Sequence, residues 1–303
     1  VLWHRVDEGQ HQAALLLWGA MNMELCNFSS EETQHLNRAI RFIGGREVDL
    51  QPLLARTLIV KTEHFIEDCK ALTAYYPELG LEDGAARLVF NVGPDGQHKI
   101  LVNKTAVIDL SYIHALATQL VHLGNLNSYN SEHGNIYRLS ADQAIADFYY
   151  EFLLWTRFQA MKIATRAHAL VSWHAVNGEA PPVDGRYQFA QVSFAVAPLN
   201  AALEQLSGAD TMAVWREAFW SFLEELTGYV GQLAFYQHCA NPGELDEQFP
   251  AEHIEREIGL ENCLLFYAAL QAARDYPAWK EMRANLRRTV VAMQEHGKLR
   301  FSD

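Results

Sequence analysis

Residues 86–103, ARLVFNVGPDGQHKILVN, decide how this chain is read. Two runs rich in β-branched and aliphatic residues flank Gly93-Pro94-Asp95-Gly96, and that turn chemistry predicts a β-hairpin. The chain then passes Asp109 and Ser111, either of which can cap a helix, into SYIHALATQLVHLGN, residues 111–125. Gly124 is placed to end that helix. A small sheet leading into one amphipathic helix is therefore the local pattern from which the rest is built.

Working outward, the first 60 residues read as helical. HQAALLLWGAMNMEL is broken only by Gly19, and SSEETQHLNRAIRFIGG opens on Ser30 with Glu31 and Glu32 and closes on Gly44-Gly45. A short strand is expected at 58–61, followed by a helix that ends before Pro77. Beyond residue 140 the pattern turns helical. Ser140 and Gln143 have capping-box spacing, and the segment from there to Gly178 contains no Gly or Pro, so it is one very long helix or two joined by a kink. The loop GEAPPVDGRY, 178–187, is the expected subdomain boundary, and RYQFAQVSFAV is the one strand candidate after it. Helical patterns follow at 198–206, 211–240, 252–274 and 278–296. The fold class is α+β and predominantly α-helical, with an α+β part at 1–139 and a mainly helical part at 140–303.

Composition narrows the function classes. Half the residues are apolar, enough for a sizeable core in 303 residues. The formal net charge of −13 repels phosphate backbones and argues against nucleic acid as a partner. No apolar run reaches the roughly 18 residues of a membrane helix, so a soluble, cytoplasmic protein is expected, with no membrane partner. Cys26, Cys69, Cys239 and Cys263 have no CxxC spacing and read as free thiols. No GxxxxGK[ST], strand-linked GxGxxG or GxSxG motif is present.

The chemistry-bearing pattern lies in 111–125. Residues four apart share a helix face, so His114, Thr118 and His122 form a stripe with Gln119 beside it, away from the apolar Ile113, Leu116, Leu120 and Leu123. Thr118-Gln119-Leu120-Val121-His122 has the frame of HExxH. A zinc peptidase needs two imidazoles one turn apart and a glutamate beside the first to deprotonate the metal-bound water. His122 can fill the second ligand position, but Thr118 is no imidazole and Gln119 is no base. His114 stands two turns from His122, a rise of about 12 Å at 1.5 Å per residue.

Hairpin, TQLVH helix and the later DFYYEFLLWTRFQA together resemble the gluzincin class of zinc metallopeptidases over residues 85–165. The resemblance implies a strand or hairpin before the active-site helix, and a later helix that supplies a glutamate ligand. Carried onto this chain it makes His122 the second zinc ligand and Glu151 the third, with Thr118 replacing the first ligand and Gln119 the general base. The two departures point to a degenerate metallopeptidase-like protein without efficient peptidase activity, retained to bind a protein or peptide partner, with Thr118 and Gln119 in the binding region. The cofactor is then none or zinc.

Two alternatives stand beside it. One is a metal-dependent hydrolase that holds zinc through His122, Glu151 and a further ligand from His114 or His133, the latter in the polar stretch NSYNSEHGNIY with Glu132. The other is a helical scaffold or interaction protein with no active site. Glu151 otherwise reads as the partner of Arg157 or Arg138. Glu8–His11 and Glu32–His35 have the spacing of carboxylate-bridged di-iron motifs. The aromatic run Trp215, Phe219, Trp220, Phe222 and Tyr229 reads as core or as a groove for an apolar partner. The locally basic stretch near the C-terminus reads as a solvated helix face.

Overall fold

A computed structural model describes residues 24–43, 48, 50–81, 84–93, 96–107, 109–178, 196–239 and 249–301. The strand candidate at 186–196 up to its last residue, nearly all of the boundary loop at 178–187, the first helical pattern up to residue 23 and Glu8–His11 lie outside the described residues; Glu24 and Leu25, expected to close that first helix, instead belong to a strand, and Val196 opens a helix. Among those described, eleven α-helices accompany one four-stranded sheet, an α+β and predominantly helical fold.

The sheet is ordered β1 (Glu24–Cys26), β2 (Thr57–Thr62), β4 (His98–Asn103), β3 (Ala86–Val89). β1, β2 and β4 run parallel, and β3 is antiparallel to β4 with Leu88 opposite Ile100. The hairpin expected from 86–103 is thus present, and the strand expected at 58–61 is β2, one residue longer at each end. Between β1 and β2 lie α1 (Ser30–Ile43) and the short α2 (Gln51–Leu54); α3 (Phe65–Thr73) follows β2. The cap of α1 lies one residue earlier than the sequence suggests. Ser29 Oγ accepts from Glu32 N while Ser29 N donates to the Glu32 carboxylate, a reciprocal capping box. Leu36, Ala39, Ile40 and Ile43 then bury one face of α1. Glu32 also takes both oxygens to Lys61 Nζ, at 2.6 and 2.7 Å, and His35 Nδ1 lies 3.3 Å from Tyr112 Oη, so this Glu-x-x-His pair is engaged in packing rather than in a di-iron group.

α4 (Ser111–His133) is the central helix, packed on α6 (Tyr149–Asn177), on α1 and on strands β3 and β4. It differs from expectation at both ends. Its N-cap is Leu110, with no side-chain cap, and Asp109 instead adopts a left-handed φ of 49°. Gly124 does not end it. A Cβ there would lie 2.1 Å from Val48 Cγ1, so this glycine allows a close approach within a helix that runs on to His133. Glu132 and His133 are consequently the last turn of α4 rather than loop residues.

The segment from Ser140 is two helices, α5 (Ala141–Ala146) and α6, separated by Phe148 in the left-handed region (φ 60°, ψ 36°). Ser140 caps α5 by accepting from Gln143 N, as its spacing suggests. Then come α7 (Val196–Ser207), α8 (Met212–Cys239), α9 (Ala251–Ile258), α10 (Leu260–Ala272) and α11 (Tyr276–Lys298). One helical pattern was expected at 252–274; Gly259, at φ 78°, divides it into α9 and α10. Buried residues of the sheet part and of the helical part belong to one continuous core. In α8, Trp215, Phe219, Phe222 and Tyr229 are fully buried within it, while Trp220 is 39% exposed. No described helix is long and apolar enough to cross a membrane.

Candidate functional site

Each candidate residue on α4 is buried or half-buried and already has a partner. Gln119 is 0% exposed. Its Oε1 accepts from the backbone N of Leu88 in β3 at 3.0 Å, and its Nε2 donates to the carbonyl of Leu81 at 3.5 Å. β3 is the edge of the sheet, and the outward backbone of an edge strand is the place where another strand could pair. Here Gln119 takes the Leu88 donor, and Tyr137 Oη donates to the carbonyl of Phe90 at 2.8 Å. The amide therefore fixes α4 to the sheet and helps close its edge.

Thr118, buried, donates from Oγ1 to the carbonyl of His114 one turn back, at 2.9 Å. This is a local bond that turns the hydroxyl onto its own helix. His122 is 1% exposed, and its Nδ1 lies 3.1 Å from Thr156 Oγ1 on α6. Asn125 Nδ2 donates to the same hydroxyl at 2.9 Å. With Nε2 protonated, the imidazole lets Thr156 donate to Nδ1 while it accepts from Asn125. Burial, with Arg157 nearby, pushes the His122 pKa down to about 3. His114 faces Thr165 Oγ1 of α6 at 3.3 Å, with the His168 ring 6.4 Å away. Burial and His168 push its pKa down to about 4. The stripe His114, Thr118, His122 is thus a polar seam between two antiparallel helices, not a solvated face.

Glu151, also buried, is held by neither Arg157 nor Arg138. Arg287 of α11 grips it in bidentate fashion, Nε to Oε1 at 2.7 Å and Nη2 to Oε2 at 2.8 Å. Glu151 and Thr156 are five residues apart on α6, about 140° round a helix of 3.6 residues per turn. The side that carries Thr156 faces α4, whereas Glu151 faces α11. Arg157 instead lies near Glu224 and Glu225 of α8. His133 stands at the far end of α4, with Nδ1 3.5 Å from Asp147 and Nε2 3.9 Å from Glu132, and Glu132 pairs with Lys280 at 2.9 Å.

The ligand set implied by the resemblance is therefore not gathered in one place. Among the described residues no three His, Cys, Asp or Glu side chains are grouped so that they could hold a metal ion. His122 spends Nδ1 on a hydroxyl, Glu151 spends both oxygens on a guanidinium, and Gln119 has no basic atom. These side chains do not fit zinc. Zinc-dependent hydrolysis uses a general base beside the first ligand, and the Gln119 amide does not supply one. A cleft of about 600 Å³ does open among the described residues, between α7 and α9, lined by Leu203, Ser207, His253 and Arg256 among others, but no candidate residue lines it.

Thr156, Thr165, Asn125 and Arg287 are the residues that sequence reasoning missed. A faint signal existed for two of them. His114 and His122 are spaced along α4 almost as Thr165 and Thr156 are along α6, which two antiparallel helices can bring into register. No family model, curated protein or solved structure matches the chain.

Proposed function

We propose that this chain is a metallopeptidase-like protein without peptidase activity, whose motif positions have become packing contacts and which acts by binding a protein or peptide. Gln119 carries the reading. At the position of the general base it has an amide rather than a carboxylate, and both ends of that amide are engaged with backbone. A carboxylate there would accept from Leu88 but would have no hydrogen for the Leu81 carbonyl. The order β4, α4, then α6 with Glu151 in its first turn is the order that the resemblance calls for, and it supports the reading.

For the binding role, support comes from the surface beside Glu151. Tyr150 (44% exposed) and Trp220 (39% exposed) lie with ring centroids 6.0 Å apart, and Ile145, in the helix before Tyr150, is also exposed. Exposed Trp and Tyr are the residue types that anchor protein interfaces. The net charge of −13 favours a partner other than nucleic acid, and the free thiols of Cys26, Cys69 and Cys263 fit a cytoplasmic location.

The test is metal analysis and peptide hydrolysis on protein purified without chelator or histidine tag, beside His122→Ala. The expected result is far less than one metal per chain in both proteins and no hydrolysis above the buffer rate. Near-stoichiometric zinc that disappears in His122→Ala, or hydrolysis that depends on His122, would overturn the proposal.

A further inference from the structure

The break between α5 and α6 has no cause in its own sequence. Residues 141–177 contain neither Gly nor Pro, the residues at which helices usually stop or kink. Yet Phe148 sits at φ 60°, ψ 36°, a conformation that a bulky L-residue avoids because its Cβ crowds the following carbonyl. The cause lies on α11. Arg287 Nη2 donates to the carbonyl of Ile145 in the last turn of α5 at 2.6 Å, while Nε and Nη2 grip Glu151 in the first turn of α6. The same guanidinium lies over the Phe148 ring, 3.8 Å from its centroid, and Arg283 adds a second at 4.9 Å. One side chain thus fastens the helix before the break, the helix after it and the residue within it. Tyr129 Oη adds a weaker tie from α4 to the carbonyl of Asp147, at 3.3 Å.

We infer that α5 and α6 are one helix held bent by an Arg287 lock. When the guanidinium leaves Ile145 and Glu151, Phe148 returns to the right-handed region, Tyr149 N pairs with the carbonyl of Ile145, and 141–177 runs as a single helix. Nothing local opposes that outcome, because every residue of the junction tolerates a helix interior. The motion would move exposed Ile145 relative to Tyr150, in the first turn of α6, so the lock sets the shape of the surface at the junction. The inference stands on the break and its contacts, and it does not need the binding proposal above.

The Cα and Cβ chemical shifts of Phe148 report its backbone region directly, and amide exchange at Tyr149 and Tyr150 reports the new hydrogen bonds. In folded Arg287→Ala, Phe148 shifts should become those of a right-handed helix and the two amides should exchange at least ten-fold more slowly. In Arg287→Ala with Phe148→Gly, the slowing of exchange at Tyr149 and Tyr150 should be smaller, because glycine occupies the left-handed region without penalty and less strain is relieved on straightening. A folded Arg287→Ala protein that keeps Phe148 left-handed overturns the inference. If that variant does not fold, Arg287→Lys gives the same decision, since an ammonium can meet Glu151 but cannot also span to Ile145 as the fork does. Right-handed Phe148 shifts, even as a minor population, support the lock, and unchanged shifts refute it.

Discussion

Along its sheet flank α4 buries Leu116 and Leu123 and spends a single amide, Gln119, on backbone groups. Along its α6 flank it buries Thr118, His122 and Asn125, with His114 beside them, and pairs imidazoles with threonine hydroxyls. The two flanks belong to one helix and respond to different variables. Burial on the sheet flank removes apolar surface from water, which does not depend on proton concentration. The α6 flank is stable only while its imidazoles are neutral, since a buried imidazolium next to a hydroxyl has no counter-charge. His114 and His122, candidate metal ligands in the sequence, here hold two helices together, at the cost of sensitivity to acid.

The largest expected effect comes from placing a carboxylate at position 119. Gln119→Glu puts a carboxylate at a fully buried site opposite the Leu81 carbonyl, and should lower stability by about 3–5 kcal/mol at pH 7 in urea denaturation. The penalty should shrink as pH falls, because a protonated carboxyl can again donate. Stability equal to that of the wild type would mean that the amide is not what fastens α4 to β3. On the other flank, Thr156→Val keeps the shape but removes the hydroxyl shared by His122 and Asn125. A loss of about 2–4 kcal/mol is expected, against about 1 kcal/mol for Thr165→Val, which serves one imidazole. Equal losses would argue against a shared hydroxyl. Gly124→Ala probes the close approach instead. It should cost about 1–3 kcal/mol through the clash with Val48, and Val48→Ala in the same chain should recover part of the loss.

The pH slope probes the same α6 flank without a substitution. The imidazoles have pKa values near 6.5 when unfolded, and about 3 for His122 and about 4 for His114 when folded. Below pH 6.5 the unfolded chain therefore binds protons that the folded chain refuses, and stability falls as pH drops toward 4. Each histidine should contribute a loss of about 1–2 kcal/mol between pH 7 and pH 5. His122→Leu should flatten the slope by one histidine's share, and an unchanged slope would place the acid-sensitive groups elsewhere.

What could be read from the sequence follows the range of the forces involved. The β3–β4 hairpin was legible because Gly93-Pro94-Asp95-Gly96 and its flanking strands are local chemistry. The Ser140 cap was legible for the same reason. Gly124 was misread as a helix end because its reason for being glycine is Val48, far away in the chain. A kink in 140–178 was one of the two readings the sequence allowed, but its place at Phe148 was not legible, since Arg287 imposes it from α11, and neither was the partner of Glu151. In the candidate site, the sequence singled out His114, Thr118 and His122 as one stripe on one helix, with Gln119 beside it, and the structure turns Gln119 to the sheet instead. The sequence could not say that Thr156 and Thr165 face that stripe, because a threonine in an apolar helix has the same composition whether its hydroxyl bonds its own turn or a neighbouring helix.

The central claim is that His122 is a packing residue bonded to Thr156 rather than a metal ligand. Its most direct test is the imidazole nitrogen spectrum of His122, followed at pH 7 while zinc is added to one equivalent. A neutral ring with one protonated nitrogen, unchanged by zinc and altered by Thr156→Val, is the result this account predicts. A nitrogen resonance that shifts stoichiometrically with zinc, together with changes at Glu151, would contradict it.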